Sequence, residues 1–561
     1  MKKTNRNKRR DLTALGLTIV ILILLNFVGS FVFHRFDLTS EKRYTLSDAT
    51  KKLLGKLNDV VYVKVYLEGD FSSGFKNLRK ETKELLNEFR AYSNDNLEYE
   101  FINPSANPDK KQQKEIFKQL YDKGLHPTND VQSKGVSEKS ENIIWPGAIV
   151  SYKGHEMPCQ LLKTQGNDGG LNNSIQSLEY EFASCINNLN MPLKPEVAFI
   201  SGHGEMDTLA VQDIFNSLQE YYIMRRIKID EQLDALKPFK AIVIVKPDTT
   251  ISEKDKFIID QYIMNGGKVL WALDALNTSV DSLHQLRQTI AIPYDLNLED
   301  MLFKYGVRIN PNLVISMDAA EIPINQSMRG EAPRIVPMPW IFTPLASPSN
   351  KHPISKNLDV VKITYGSSID TISAKGITKD ILLQSSKYSK TLNSPVRIDL
   401  NYLGYKPLAR EFTDSYQTMA VLLEGKFKSL YENRPLDKEF LKEIKYKSQS
   451  EKTSMIVISD GDIMRNDIQV SSGKSYPLGF DKYTGKMYGN KNFILNCINY
   501  LCDDSGLISV RSRELTLRML DKEKIKEGKL KWQLINTLLP ILIIILFGLI
   551  QNFNRKRKYA S

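Results

Sequence analysis

Two uncharged apolar runs, each bordered by a basic tail, constrain this chain more than any other feature. From Leu12 to Phe33 the sequence LTALGLTIVILILLNFVGSFVF carries no charge over 22 positions, and the run WQLINTLLPILIIILFGLIQNF from Trp532 to Phe553 is likewise uncharged. At about 1.5 Å per residue, each spans the roughly 30 Å hydrocarbon core of a bilayer. Pro540 in the second run is tolerated better in membrane helices than in soluble ones. The tail 1–11 holds Lys2, Lys3, Arg6, Lys8, Arg9 and Arg10, and the tail 554–561 holds Arg-Lys-Arg-Lys at 555–558. Flanking Lys and Arg stay on the cytoplasmic side. The expected topology is therefore one transmembrane helix at each end, 12–33 and 532–553, with both termini cytoplasmic and everything between them across the membrane. A cleaved signal peptide also begins with basic and apolar residues, but its apolar region is about 7–15 residues long and ends in an A-x-A-like site. Here the run is longer and HRFDLTSEKRY follows it, so the anchor is the favoured reading.

The formal charge of +12 first suggests a nucleic-acid partner, yet ten of those excess charges lie in residues 1–10 and 555–558. The rest of the chain is near neutral, and basic stretches such as KEFLKEIKYK read as solvated helix faces. With 42% hydrophobic and 25% charged residues in 561 positions, the chain is folded and large enough for more than one domain. Its four cysteines, Cys159, Cys185, Cys497 and Cys502, show no spacing that selects a disulfide pairing and read best as small buried residues. No CxxC or His-rich cluster suggests a metal, and no cofactor is expected.

Between the spans the pattern is α/β. In 36–191, RYTLSDATKKLLGKL reads as a turn and helix with Ser47 as N-cap, VVYVKVYLEG as a strand, FKNLRKETKELLNEFRAYS as a helix and LEYEF as a second strand, which makes a βαβ unit with a parallel pair. NMPLKPE is the linker to a second domain, 195–520. There, short apolar strands (EVAFIS, YIMRRIKID, AIVIVKPD, KVLWALD, SMIVISDGD) alternate with helices, the pattern of a doubly wound parallel sheet. Residues from about 290 to 450 read as an irregular, Pro- and Ser-rich insertion in which VVKITYG and MAVLLEG read as strands.

Polar groups end several of these strands. Ser201-Gly202-His203-Gly204-Glu205, Lys246-Pro247-Asp248, Asp274 and Asp460-Gly461-Asp462 stand where open α/β sheets bind ligands. Ser201, His203, Glu205, Asp274, Asp460 and Asp462 are thus the candidate ligand crevice; the alternative is that the glycines make tight turns and the acids cap helices. No G-x-S-x-G or G-x-C-x-G supplies a nucleophile, and Gly473-Lys474-Ser475 lacks the earlier glycine of a phosphate loop, Ile468 standing in its place. No catalytic residue is assigned, and ATP hydrolysis is expected in another chain.

At RYTLS (43–47), SGHGE (201–205), VISDGDIMRND (457–467) and, most specifically, YPLGFDKYTGKMYGNKNFILNCINYLCDDSGLISVRSRELTLRMLDKEK (476–524), the chain resembles the GldG family, auxiliary subunits of ABC transporters associated with gliding motility. The resemblance implies a bacterial inner-membrane protein with a periplasmic body, partnered by an ABC permease and an ABC ATPase. It also implies a non-catalytic role in which the exterior domains bind a partner or ligand. The central domain is similar to glutamine-amidotransferase-like modules of some intraflagellar-transport proteins, which bind rather than catalyse. A tethered hydrolase or amidotransferase and a cell-envelope scaffold are the alternatives. Small or polar residues in the spans, Gly16, Asn26, Gly29, Ser30, Asn536 and Thr537, are the candidate contacts with the permease.

Overall fold

Two main sheets, one of four strands and one of ten, carry the body, with smaller two- and three-stranded sheets beside them. The computed structural model describes residues 13–24 and 45–559, apart from 134–138, 163–167, 192, 279–282, 284–286, 326, 328–333, 405–407, 433, 435–445, 470–472 and 513–521. It divides into a unit ending at Arg513 and a second beginning at Glu514. Helix α1 (Thr13–Leu24) is the described part of the first apolar run, and its side chains are exposed. Asn26, Gly29 and Ser30 lie outside the described residues, and nothing stands within 4 Å of the place a Cβ would take on Gly16.

Ser47 caps α2 (Asp48–Leu54), its hydroxyl accepting a hydrogen bond from the Thr50 N–H at 3.1 Å. In β1 (Val61–Val65) the three valines are buried and Tyr62 and Lys64 are partly exposed, the period-2 pattern of a sheet with one covered face. α3 (Ser73–Tyr92) presents Leu78, Leu86 and Phe89 to the core, and β2 (Leu97–Phe101) returns parallel to β1 with Val61 opposite Leu97. After α4 (Lys110–Asp122) and a hairpin of Thr128–Ser133 with Lys139–Ile144, β3 (Gly147–Tyr152) and β4 (His155–Gln160) complete an order β2-β1-β3-β4. α5 (Asp168–Asn190) covers this sheet and meets α3 through Phe89 and Phe182, ring centroids 6.5 Å apart. Leu507, Ile508 and Val510 also join this core. The chain therefore returns to the first domain before residue 520, where the sequence pattern assigned it to the second.

The second sheet starts with β5 (Glu196–Ser201), α6 (Gln212–Gln219), β6 (Ile223–Lys228), β7 (Ala241–Val245), α7 (Glu253–Met264) and β8 (Lys268–Ala272). β9 (Gln288–Pro293), which pairs outside this sheet with Leu276–Asn277 and Val396–Asp399, and α8 (Glu299–Tyr305) follow, then β10 (Ala319–Asn325), β11 (Ile335–Pro348), β12 (Ile377–Gln384), β13 (Thr418–Lys428), β14 (Gln449–Ile458) and α9 (Asn490–Cys502). Five strands are parallel, in the order β6-β5-β7-β8-β14. Both their faces are covered: Val197 and Phe199 pack with Ile214, Phe493 and Ile498 from α6 and α9, while Ala198 and Ile200 pack with Ile259 from α7 and Leu302 from α8. Every residue of β7 is buried, as a strand covered on both faces requires.

The expected all-parallel sheet is corrected here. β13, β12, β11 and β10 extend it antiparallel beyond β14, and the short strand Val361–Lys362 pairs antiparallel with β11, making a mixed ten-stranded sheet. The stretch 290–450, which reads as irregular, supplies those strands. MAVLLEG in β13 is legible as a strand, whereas prolines conceal β10 and β11: Pro337 and Pro339 sit in β11 opposite Pro323 and Glu321 of the edge strand β10, a place where a missing N–H is tolerated.

In the C-terminal unit, α10 (Lys522–Tyr559) contains an apolar stretch, Lys531–Asn554, long enough to cross a membrane and with none of it buried. Thr537 donates its hydroxyl to the Gln533 carbonyl at 2.6 Å. Pro540, inside the helix, has no N–H to give the Asn536 carbonyl.

Candidate functional site

The parallel strands carry their polar residues at their carboxyl ends, and the order β6-β5-β7-β8-β14 reverses between β5 and β7. Ligands bind open α/β sheets at such a switch point. Here the crevice is occupied by the protein's own loops. Asp248 and Thr249, after β7, both donate their N–H to the His203 carbonyl. Gly204, at φ 73°, brings its backbone so near Asp248 that a Cβ would collide with that carboxylate, so glycine is required there.

His203 is held at both ring nitrogens. Nδ1 lies 3.1 Å from Glu205 Oε1 and Nε2 lies 2.9 Å from Asp255 Oδ2, while the His203 N–H donates to Glu205 Oε2 at 2.7 Å. Asp255 stands in the first turn of α7 and also accepts from the Glu231 N–H at 2.9 Å. Hydrogen bonds to Asp255 and then Glu205 push the His203 pKa up to about 9, so the ring is an imidazolium at neutral pH. Against the effect of burial, the bond from His203 lowers both carboxylates. With both nitrogens engaged, this histidine has no free lone pair with which to act as a general base.

The other acids form a second cluster over β7, β8 and β14. Lys246 Nζ lies 3.1 Å from Asp274 Oδ2 and 2.5 Å from Asp462 Oδ2. Asp274 Oδ1 accepts from the Gly461 N–H at 2.5 Å. Asp460 accepts from the Asp462 and Thr364 N–H groups at 2.8 and 2.9 Å. Lys246 sits at φ 49°, a region uncommon for residues with a side chain. Gly461 packs so closely against it that a Cβ would lie 2.6 Å from the lysine's own. Burial pushes Asp274 up to about 6 and Asp460 well above the carboxylate range, while the charges of Asp274 and Asp462 raise Lys246 against its burial.

The six residues expected to line one crevice are thus divided. His203 and Glu205 belong to the first cluster, and Asp274, Asp460 and Asp462 to the second. The Ser201 hydroxyl donates to the Ile227 carbonyl at 2.9 Å and joins neither. Sequence reading missed Asp255 and the central part played by Lys246: Asp255 looks like an ordinary first-turn acid, and the lysine's partners are far away in the chain. No group of three or more His, Cys, Asp or Glu among the described residues is arranged to hold a metal ion. All four cysteines are buried and outside any disulfide, and burial pushes Cys502 up to about 12, the opposite of an activated thiol. The Gly473 N–H donates to the Gln469 carbonyl at 2.8 Å, and Ile468 bridges Ser475.

The folded state keeps its proton on His203 to about pH 9, whereas an unfolded histidine loses it near 6.5. The stabilisation is full below pH 6.5 and is lost as pH rises through 9, on the order of 2 kcal/mol. Denaturation measured from pH 6 to 9.5 should show this slope in the wild type and a flatter one in His203→Gln. Equal slopes would contradict the doubly paired imidazolium.

A family model described as an ABC-type uncharacterized transport system matches residues 194–497, more than half of the chain. A second model, a domain of unknown function, matches residues 40–151. An uncharacterized protein of Borreliella burgdorferi is 22% identical over 571 residues, covering 99% of each chain. Among solved structures, the mmIFT52 N-terminal domain shares 11% identity with a TM-score of 0.31, over 55% of this chain and 96% of that one. By the match across its ten-stranded sheet and both polar clusters, the chain belongs to the family of auxiliary proteins of ABC-type transport systems.

Proposed function

We propose that the chain is a non-catalytic, membrane-anchored auxiliary subunit of an ABC transporter, with both termini cytoplasmic and the body between the spans on the far side of the inner membrane. The family match over 194–497 carries this reading. The apolar stretch Lys531–Asn554 supports the anchor, since none of it is covered by the protein's own residues. An ABC ATPase and permease then supply the hydrolysis and the path, two spans being too few to line one. The chemistry of the clusters agrees with a non-catalytic part: His203 is locked between carboxylates, and the thiols are inert. A tie to gliding motility rests on the sequence resemblance to GldG alone.

Reporter fusions and protease protection test the arrangement. Reporters at residues 1 and 561 should be cytoplasmic and one near residue 170 exterior, and protease added from outside should digest the segment between the spans. A mature N-terminus near residue 35, or a protected body, would contradict it.

A further inference from the structure

An opening at the carboxyl edge of the sheet lies beside β8, one strand along from the filled crevice. It is a cleft of about 270 Å³. Apolar cavities of about 150 Å³ hold benzene, and drug-sized sites start near 300 Å³, so this cleft has room for a ring with a short side chain. Its walls are Leu273, Leu296, Leu298 and Leu302, each no more than 5% exposed, with Asp274 and Tyr294 as polar groups. Glu299 and Arg308 also border it. The Arg308 guanidinium is already committed to Asp370 at 2.8 Å and Asn310 at 2.9 Å.

Asp274 and Asp462 share Lys246, Arg465 reaches Asp462 at only 3.5 Å from a half-exposed position, and Asp460 beside them accepts from the Thr364 and Asp462 N–H groups. Of the three acids, Asp274 borders the cleft. Each of its oxygens has one partner, Gly461 N–H or Lys246 Nζ, and so keeps a second acceptor site. The Tyr294 hydroxyl has no hydrogen-bond partner among the described residues, yet it lies near enough to Asp274 that burial and then this carboxylate raise its pKa.

We infer that this cleft binds a small organic amine, its ammonium group donating to Asp274 and Tyr294 and its apolar body lying among the four leucines. The site is independent of assembly with a transporter: it requires only the fold around β8 and α8. An anionic ligand of the same shape would face Asp274 and Glu299 and be rejected.

Three probes of matched shape test it on the full chain in lipid nanodiscs: 3-phenylpropylamine, 3-phenylpropanol and 3-phenylpropanoate. Saturation-transfer NMR would be read against the cleft-filling variant Leu302→Trp, which corrects for uptake by lipid. The amine should bind saturably with a Kd on the order of 1 mM, as suits a ligand of about ten non-hydrogen atoms. The alcohol should bind more weakly and the carboxylate not measurably. Leu302→Trp should abolish the signal, and Tyr294→Phe should weaken the amine roughly threefold to tenfold. Carboxylate binding equal to that of the amine, alcohol binding equal to that of the amine, or no saturable amine signal would each overturn the assignment. If Leu302→Trp does not fold, Tyr294→Phe carries the test, because it keeps the ring and removes only the hydroxyl; an unchanged amine affinity there would likewise overturn it.

Discussion

Lys246→Ala should destabilise the folded body by about 3–5 kcal/mol, the cost of removing one partner from a buried ion pair. The lysine is the cation that Asp274 and Asp462 both touch, and the two side chains are 4% and 9% exposed. Truncation therefore leaves negative charge in a dry site instead of breaking a solvated surface pair. The effect should depend on pH in a definite direction. Asp274 titrates near 6 in the folded state but near 3.9 when unfolded, so folding takes up a proton between those values and stability rises as pH falls from 6 towards 4. Without Lys246 that uptake is larger, and the deficit should be smaller at pH 5 than at pH 8. Trp271, fully buried on β8 three residues before Asp274, reports the transition by fluorescence. Pairing Lys246→Met with Asp274→Leu should recover part of the loss. A Lys246→Ala protein that melts with the wild type would show that the cluster contributes nothing to the fold.

The contrast between this cluster and the strands beneath it shows what a single sequence carries. β1, β5, β7, β8 and β14 announce themselves because their burial pattern is local: alternation in Val61–Val65, continuous apolar residues in Ala241–Val245. The Ser47 cap is equally local. β10 and β11 do not announce themselves, since their strand state is imposed by pairing across the sheet and their prolines argue for loops. The site is intermediate. Asp274 and Asp460-Gly461-Asp462 are recognisable as ends of core strands, but 186 positions separate Asp274 from Asp460, and nothing local shows that Lys246 joins them. Asp255 is hidden for the same reason: its partner His203 lies 52 residues earlier. Leu507, Ile508 and Val510 form too short a run to reveal which of two cores they enter.

The second large effect is expected in the membrane. Exchanging 12–33 and 532–553 for unrelated apolar helices should leave the body folded and membrane-bound but release its transporter partners. Association between membrane helices rests on close packing and on polar groups that find no water in hydrocarbon. In α10 the Thr537 hydroxyl is already spent on the Gln533 carbonyl. Asn536 presents both a side-chain amide and a carbonyl that Pro540 cannot serve. Asn536→Leu alone should therefore weaken the association, roughly threefold to thirtyfold, at about 0.6–2 kcal/mol for an interhelical hydrogen bond. The exchange of both spans should remove it altogether, and undiminished association would shift the contact to the body between the spans.

Isolation from native membranes measures directly whether the chain is part of an ABC transporter. The full-length chain, tagged at its C-terminus, kept at its natural expression level and extracted in mild detergent, should carry an ABC ATPase and a polytopic permease in near-stoichiometric amounts by mass spectrometry, and the span-exchanged chain should carry neither. A wild-type chain that comes out of the membrane without any ABC ATPase would contradict the account.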